Sequence, residues 1–151
     1  MIFYKSYFYF FDADKNNTST FQYQEFISSV PVHSKDKLGH NISILILQFL
    51  YLLKHKEFEQ LYSKEDTLRK YAHTYLKTDH SKRSFYFFKL MLVVIRVDFD
   101  PEKSIRKGKP WFDKLKITPE PGDAYAEVEI IPYEKLWELL IEIMKEKPTR
   151  I

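Results

Sequence analysis

Two helix-length apolar stretches decide what this chain can become. Asn41–Lys56 reads NISILILQFLYLLKHK, and Arg83–Arg96 reads RSFYFFKLMLVVIR. Apolar side chains run nearly all the way round each as a helix, which demands burial on most sides. Neither is long enough to cross a bilayer. The longest apolar run, Ile42 to Leu53, spans 12 residues and contains Gln48, whereas a membrane span needs about 20. Both stretches are expected to be inner helices of a stacked helical structure, with the remaining segments packed around them.

The flanking segments carry helix signals of a different kind. Met1–Phe11 is aromatic and has no capping residue before it, and is read as a helix of a longer chain whose upstream part is missing. Asp12–Thr20 is a polar loop of turn formers, and Thr20–Val30 a short amphipathic helix ending before Pro31. Ser34 or Asn41 caps the first inner helix, which runs to about Lys54. From Lys56 to Lys77 the apolar residues Phe58, Leu61, Tyr62, Leu68, Tyr71, Ala72, Tyr75 and Leu76 fall on one helical stripe. Thr78–Ser81 make a turn with Ser81 as cap, and the second inner helix follows over Lys82–Val97. Asp100-Pro101-Glu102 supplies an N-cap, a proline at the first helical position and an acid on the positive dipole end. Gly108 and Pro110 predict a break in that helix before Trp111. Pro132 opens a last helix to about Lys147, with Glu134, Glu138, Glu142 and Glu146 along one side.

Composition excludes more than it selects. There are no cysteines, so disulfide frameworks, thiolate metal sites and cysteine nucleophiles are out, and a cytoplasmic setting is expected. Only 3 glycines are present, too few for a glycine-rich phosphate loop. The aromatic start lacks the aliphatic run and cleavage site of a secretory signal. Charge is uneven. Residues 68–117 hold 13 basic against 5 acidic side chains, while residues 118–151 hold 4 against 8. A basic middle suits an anionic partner.

The chain also repeats itself. Lys5-Ser6-Tyr7-Phe8, Ile42-Ser43-Ile44-Leu45 and Arg83-Ser84-Phe85-Tyr86 each place a serine before an apolar run, with the serines 37 and 41 residues apart. At the larger offset Glu57-Phe58-Glu59 falls on Asp98-Phe99-Asp100, between the two helices of each unit. Periods of 20–50 residues mark repeat arrays. On these features the chain resembles a tetratricopeptide-like helical-repeat protein over residues 1–117. The resemblance implies an all-α stack of antiparallel helical hairpins, an α-solenoid of about three repeats of 37–41 residues. Its units are about 1–33, 34–80 and 81–117, followed by a connection over 118–131 and a capping helix over 132–147. It also implies a concave face that binds a peptide or protein. The tetratricopeptide Trp, Leu-Gly and Tyr signature is absent, so no functional residue carries over.

Candidate chemistry is sparse. Asp12, Asp14 and Asn16 resemble the opening of a calcium loop, but position 6 is Asn17 rather than glycine and position 12 is Tyr23 rather than glutamate. A polar turn is the better reading. His33 and His40, like His73 and His80, are seven apart, or roughly 10 Å along a helix, which is too far to share one zinc. No nucleophile elbow, carboxylate pair or phosphate loop is present. No cofactor, metal or catalytic residue is expected, and the chain is read as a non-enzyme.

The basic block remains. Lys82, Arg83, Lys89, Arg96 and Arg106 are expected to rim a binding surface across several helices, with Lys89 and Arg96 forming one polar stripe on an otherwise buried helix. The expected partner is a protein or peptide, acidic in character. The alternative is single-stranded nucleic acid held by phosphate pairing and stacking. Self-association through the first hairpin is a further expectation.

Overall fold

Asp100, Pro101 and Glu102 start a helix as their chemistry demands. In the computed structural model, which describes residues 38–120 and 131–146 with side chains from residue 41, the Asp100 carboxylate accepts from the Lys103 backbone N–H at 2.8 Å. Pro101 takes the first helical position. Five α-helices make up the described residues: α1 (Leu38–Lys54), α2 (Phe58–Tyr75), α3 (Lys82–Arg96), α4 (Pro101–Ile117) and α5 (Tyr133–Lys145). A single 3₁₀ turn, Asp79–Ser81, precedes α3. No strand occurs among the described residues, and no described helix is long and apolar enough to cross a membrane.

The central element is α3. It packs against α2, α4 and α5, while α1 lies against α2 and α5. Its side chains Phe87, Phe88, Leu90, Met91, Leu92, Val94 and Ile95 are buried in one cluster with Ile46, Phe49, Leu50 and Leu53 of α1 and Leu136, Leu140 and Ile143 of α5. Burial of that apolar surface, at about 25 cal/mol per Å², is the main term holding the helices together.

The two junctions α1–α2 and α3–α4 are built alike. At the first, the Lys56 N–H donates to Leu53 O and the Glu57 N–H to Leu52 O. At the second, Asp98 N–H donates to Ile95 O and Phe99 N–H to Val94 O. This is the paired bonding of a Schellman cap, with every residue number raised by 42. Lys56 and Asp98 both take the left-handed conformation the cap needs, at φ 56° each. Phe58, just beyond the first cap, stacks at 4.5 Å between centroids on Phe99. Phe99 closes the second cap at the place of Glu57 and, unlike Glu57 at φ −84°, is itself left-handed at φ 62°.

Several expectations are corrected. Helix α4 runs unbroken through Gly108 and Pro110. Gly108 is buried where a Cβ would sit 2.9 Å from Leu90 Cδ2 and 3.3 Å from the Trp137 ring, so its role is close helix approach rather than interruption. Pro110 lies on the exposed side, where losing one i→i−4 bond is tolerated. Asn41 sits inside α1 rather than capping it, because the helix already begins at Leu38. Tyr62 and Tyr75 leave the buried stripe of α2, at 43% and 55% exposure; the Tyr62 hydroxyl donates to Asp98 Oδ1 at 2.7 Å, at the α3–α4 junction. Ser81 does not cap α3 with its side chain. It forms a capping box with Thr78 at the start of the 3₁₀ turn. The last helix ends at Lys145. The aromatic start, the Asp12–Thr20 loop, the Thr20–Val30 helix, Ser34 and the first repeat unit with its expected self-association lie outside the described residues, as does most of the 118–131 connection.

Candidate functional site

The stretch between α2 and α3 brings two helical stripes face to face. Arg69, His73 and Lys77 recur every four residues along α2 and just past its end. Lys82, Phe85, Tyr86 and Lys89 occupy positions i, i+3, i+4 and i+7 along α3. With Leu76 between them they line a groove of about 680 Å³, within the range of ligand sites. Four of the eight lining side chains are lysine or arginine, and none is a carboxylate.

Lys89 is the distinctive member. Its stem is half-buried, and its ammonium lies over the Phe85 ring at 5.2 Å and the Trp111 ring of α4 at 5.7 Å. It makes no hydrogen bond or ion pair among the described residues. Burial, and then the charges of Arg96 and Arg69, hold its pKa below the usual lysine range. The two ring faces offset part of that penalty. Trp111 is flanked again by Lys114, whose ammonium lies 4.9 Å from the ring. Phe85 and Tyr86 meet Trp111 at 6.3 and 6.2 Å between centroids. A shelf of three aromatic rings therefore borders the cations.

The carboxylates nearby sit on the flanks of this cluster. Asp66 pairs with Arg69 and Lys70, and its carboxyl is held below the usual range by Lys70 and then Arg69. Asp79 pairs with Lys82 at 3.3 Å, and Glu65 with Arg96 at 3.4 Å. All four pairs join exposed or half-exposed groups and contribute little to stability.

The five side chains expected at the rim therefore separate. Lys82 and Lys89 line the groove. Arg96 is exposed and acts on Lys89 through its field. Arg106 is exposed on α4 and does not line the groove. Arg83 is only 5% exposed and turns inward; it donates to Leu115 O at 2.8 Å and Thr118 O at 2.9 Å and pairs with Glu134. Its charge is consumed inside the fold. The structure adds Arg69, His73, Lys77, Phe85 and Tyr86. The four-residue spacing of Arg69, His73 and Lys77 is visible in the sequence, but which neighbour that stripe faces is not.

No metal-binding constellation of His, Asp or Glu occurs among the described residues. His73 lies with its Nε2 3.4 Å from Lys77 Nζ. His33, the His40 side chain and the Asp12–Asn16 motif lie outside the described residues. No family model matches the chain, and no curated protein or solved structure shows significant similarity to it.

Proposed function

We propose that this chain is a non-catalytic scaffold of helical hairpins, working in the cytoplasm, that binds an acidic segment of a partner protein in the groove between α2 and α3. The observation that carries this reading is the lining itself: Arg69, Lys77, Lys82 and Lys89 with no carboxylate among them. Among the described residues Arg69 and Lys82 are held only by the exposed Asp66 and Asp79, pairs that exchange at little cost. An acidic peptide can therefore supply counter-charge, and the Phe85, Tyr86 and Trp111 rings offer apolar area to its stems. The hairpin-array reading rests on two caps with the same hydrogen-bond pattern 42 residues apart. Helix α5 then folds back to α1, where Lys54 pairs with Glu146 at 3.0 Å.

The same rings support a second reading, single-stranded nucleic acid with bases stacked on Trp111 and Tyr86. Fluorescence anisotropy separates the two. A labelled Glu/Asp-rich peptide and a labelled single-stranded oligonucleotide are each titrated at low and physiological salt. Micromolar peptide binding that disappears in Lys82→Gln/Lys89→Gln, with a flat oligonucleotide trace, supports the scaffold. Oligonucleotide binding that falls steeply with salt transfers the groove to nucleic acid. Flat traces for both probes discard it as a binding site.

A further inference from the structure

We infer that the Lys89 end of the groove is a site for a phosphoryl group, carried as phosphoserine or phosphothreonine on the acidic partner segment; this rests on the groove being the peptide site. Three features of the cluster lead there. Lys89 lines the groove with its ammonium over two ring faces and makes no hydrogen bond or ion pair among the described residues. Such a cation gains a partner when an anion arrives. Arg69 lines the groove beside Lys89, and its field and that of Arg96 reach the ammonium. Neither arginine is locked elsewhere. The Asp66 and Glu65 carboxylates that hold them are exposed or half-exposed, and such pairs exchange partners at little cost.

The number of charges decides which anion fits. A carboxylate brings one negative charge, and so does each phosphodiester of a nucleic acid. A phosphomonoester carries about −1.5 to −2 at neutral pH and three acceptor oxygens. Coulomb attraction to a cluster of like charges scales with the charge brought. Three donors on Lys89 and the guanidinium fork of Arg69, which lines the same groove, also match three oxygens better than two. The shelf of Phe85, Tyr86 and Trp111 stays available for the peptide on either side of the modified residue.

The test uses three labelled nonapeptides of one Glu/Asp-rich sequence whose central residue is serine, glutamate or phosphoserine. The expected result is about tenfold tighter binding of the phosphoserine peptide than of the glutamate one. Lys89→Gln should erase that difference and inorganic phosphate should compete it away, while Lys107→Gln, an exposed change on α4, leaves it intact. Lys82→Gln should weaken all three peptides together, and thermal melts of each variant confirm folding. Equal binding of the glutamate and phosphoserine peptides, still sensitive to Lys82→Gln, overturns the phosphoryl site and leaves the groove reading standing. Failure of every peptide to bind overturns both.

Discussion

The guanidinium of Arg83 and the carboxylate of Glu134 form an ion pair that ties the start of α3 to the start of α5. The same guanidinium donates through Nη1 to Leu115 O and Thr118 O, at the C-terminal end of α4. Leu115 O also accepts from the Thr118 backbone N–H, Thr118 O lies just past the last helical residue, and a cation suits the negative end of the dipole. One side chain thus joins three helices. Arg83→Met removes these three bonds but leaves no buried charge behind, since the Glu134 carboxylate is 32% exposed, and should destabilise the fold by about 2–3 kcal/mol. Glu134→Gln leaves the buried guanidinium with its two carbonyl acceptors but no counter-charge, and should cost about 1–2 kcal/mol. Urea unfolding followed by helical circular dichroism measures both. A small loss for Arg83→Met would mean that the three helices are held by apolar packing alone.

Gly108 gives a second prediction, with two effects opposed. Alanine is a better helix former than glycine by about 1 kcal/mol. At this position its Cβ would lie 2.9 Å from Leu90 Cδ2 and 3.3 Å from Trp137. Leu90 and Trp137 are both buried, so neither moves away freely, and overpacking costs about 1–3 kcal/mol. Gly108→Ala should therefore be net destabilising by about 1 kcal/mol, while Gly108→Val should be worse. The comparison change Lys107→Ala, one residue away and exposed, should be nearly neutral by the same denaturation measurement.

The alkaline limb of stability should report Tyr71. Burial foremost, and then Tyr75, push its pKa up to about 12, while a hydrogen bond with Asn41 pulls the other way. The folded state thus keeps its phenol protonated where the unfolded chain, near 10, has released the proton. Between these values the unfolded state binds fewer protons, so stability falls as pH rises. Below pH 10 the group contributes a constant amount. Melting temperatures should drop between pH 10 and 12, and the drop should be shallower in Tyr71→Phe. An unchanged slope in that variant would assign the alkaline limb to other groups.

What the sequence revealed and what it hid follow from the range of the forces involved. The Asp100-Pro101 start of α4 was legible because a cap is made by residues three apart. The inner character of α1 and α3 was legible because a helix apolar on all sides has one solution. Arg83 was misplaced because it sits beside Lys82, an exposed lysine, in a basic run. Its periodicity held the correction: it lies four residues before Phe87 and seven before Leu90, on the buried side of α3. The groove required a tertiary fact, that α2 turns Arg69, His73 and Lys77 toward Lys82 and Lys89. The continuity of α4 through Gly108 was likewise hidden, because only the approach of Leu90 and Trp137 shows why a glycine is there.

Ser43 and Ser84, which occupy matching places before the apolar runs of α1 and α3, should respond to alanine in opposite directions. Ser84 Oγ lies 2.7 Å from the Tyr133 hydroxyl, both buried. The rings of Phe87 and Tyr133 stack at 4.8 Å beside them, so this bond fixes where α5 meets α3. Ser84→Ala removes it and should cost about 1 kcal/mol. Ser43 is fully buried as well, but its Oγ has no hydrogen-bond partner among the described residues. A hydroxyl desolvated without compensation is unfavourable by about 1–3 kcal/mol on protein scales. Ser43→Ala removes that burden, loses no volume beyond one oxygen, and gains helix propensity. It should be neutral to stabilising by about 1 kcal/mol, with a higher urea midpoint and an unchanged slope. Loss of stability in Ser43→Ala, comparable to that in Ser84→Ala, would show that Ser43 has a polar partner after all, either bound water or a residue outside the described helices.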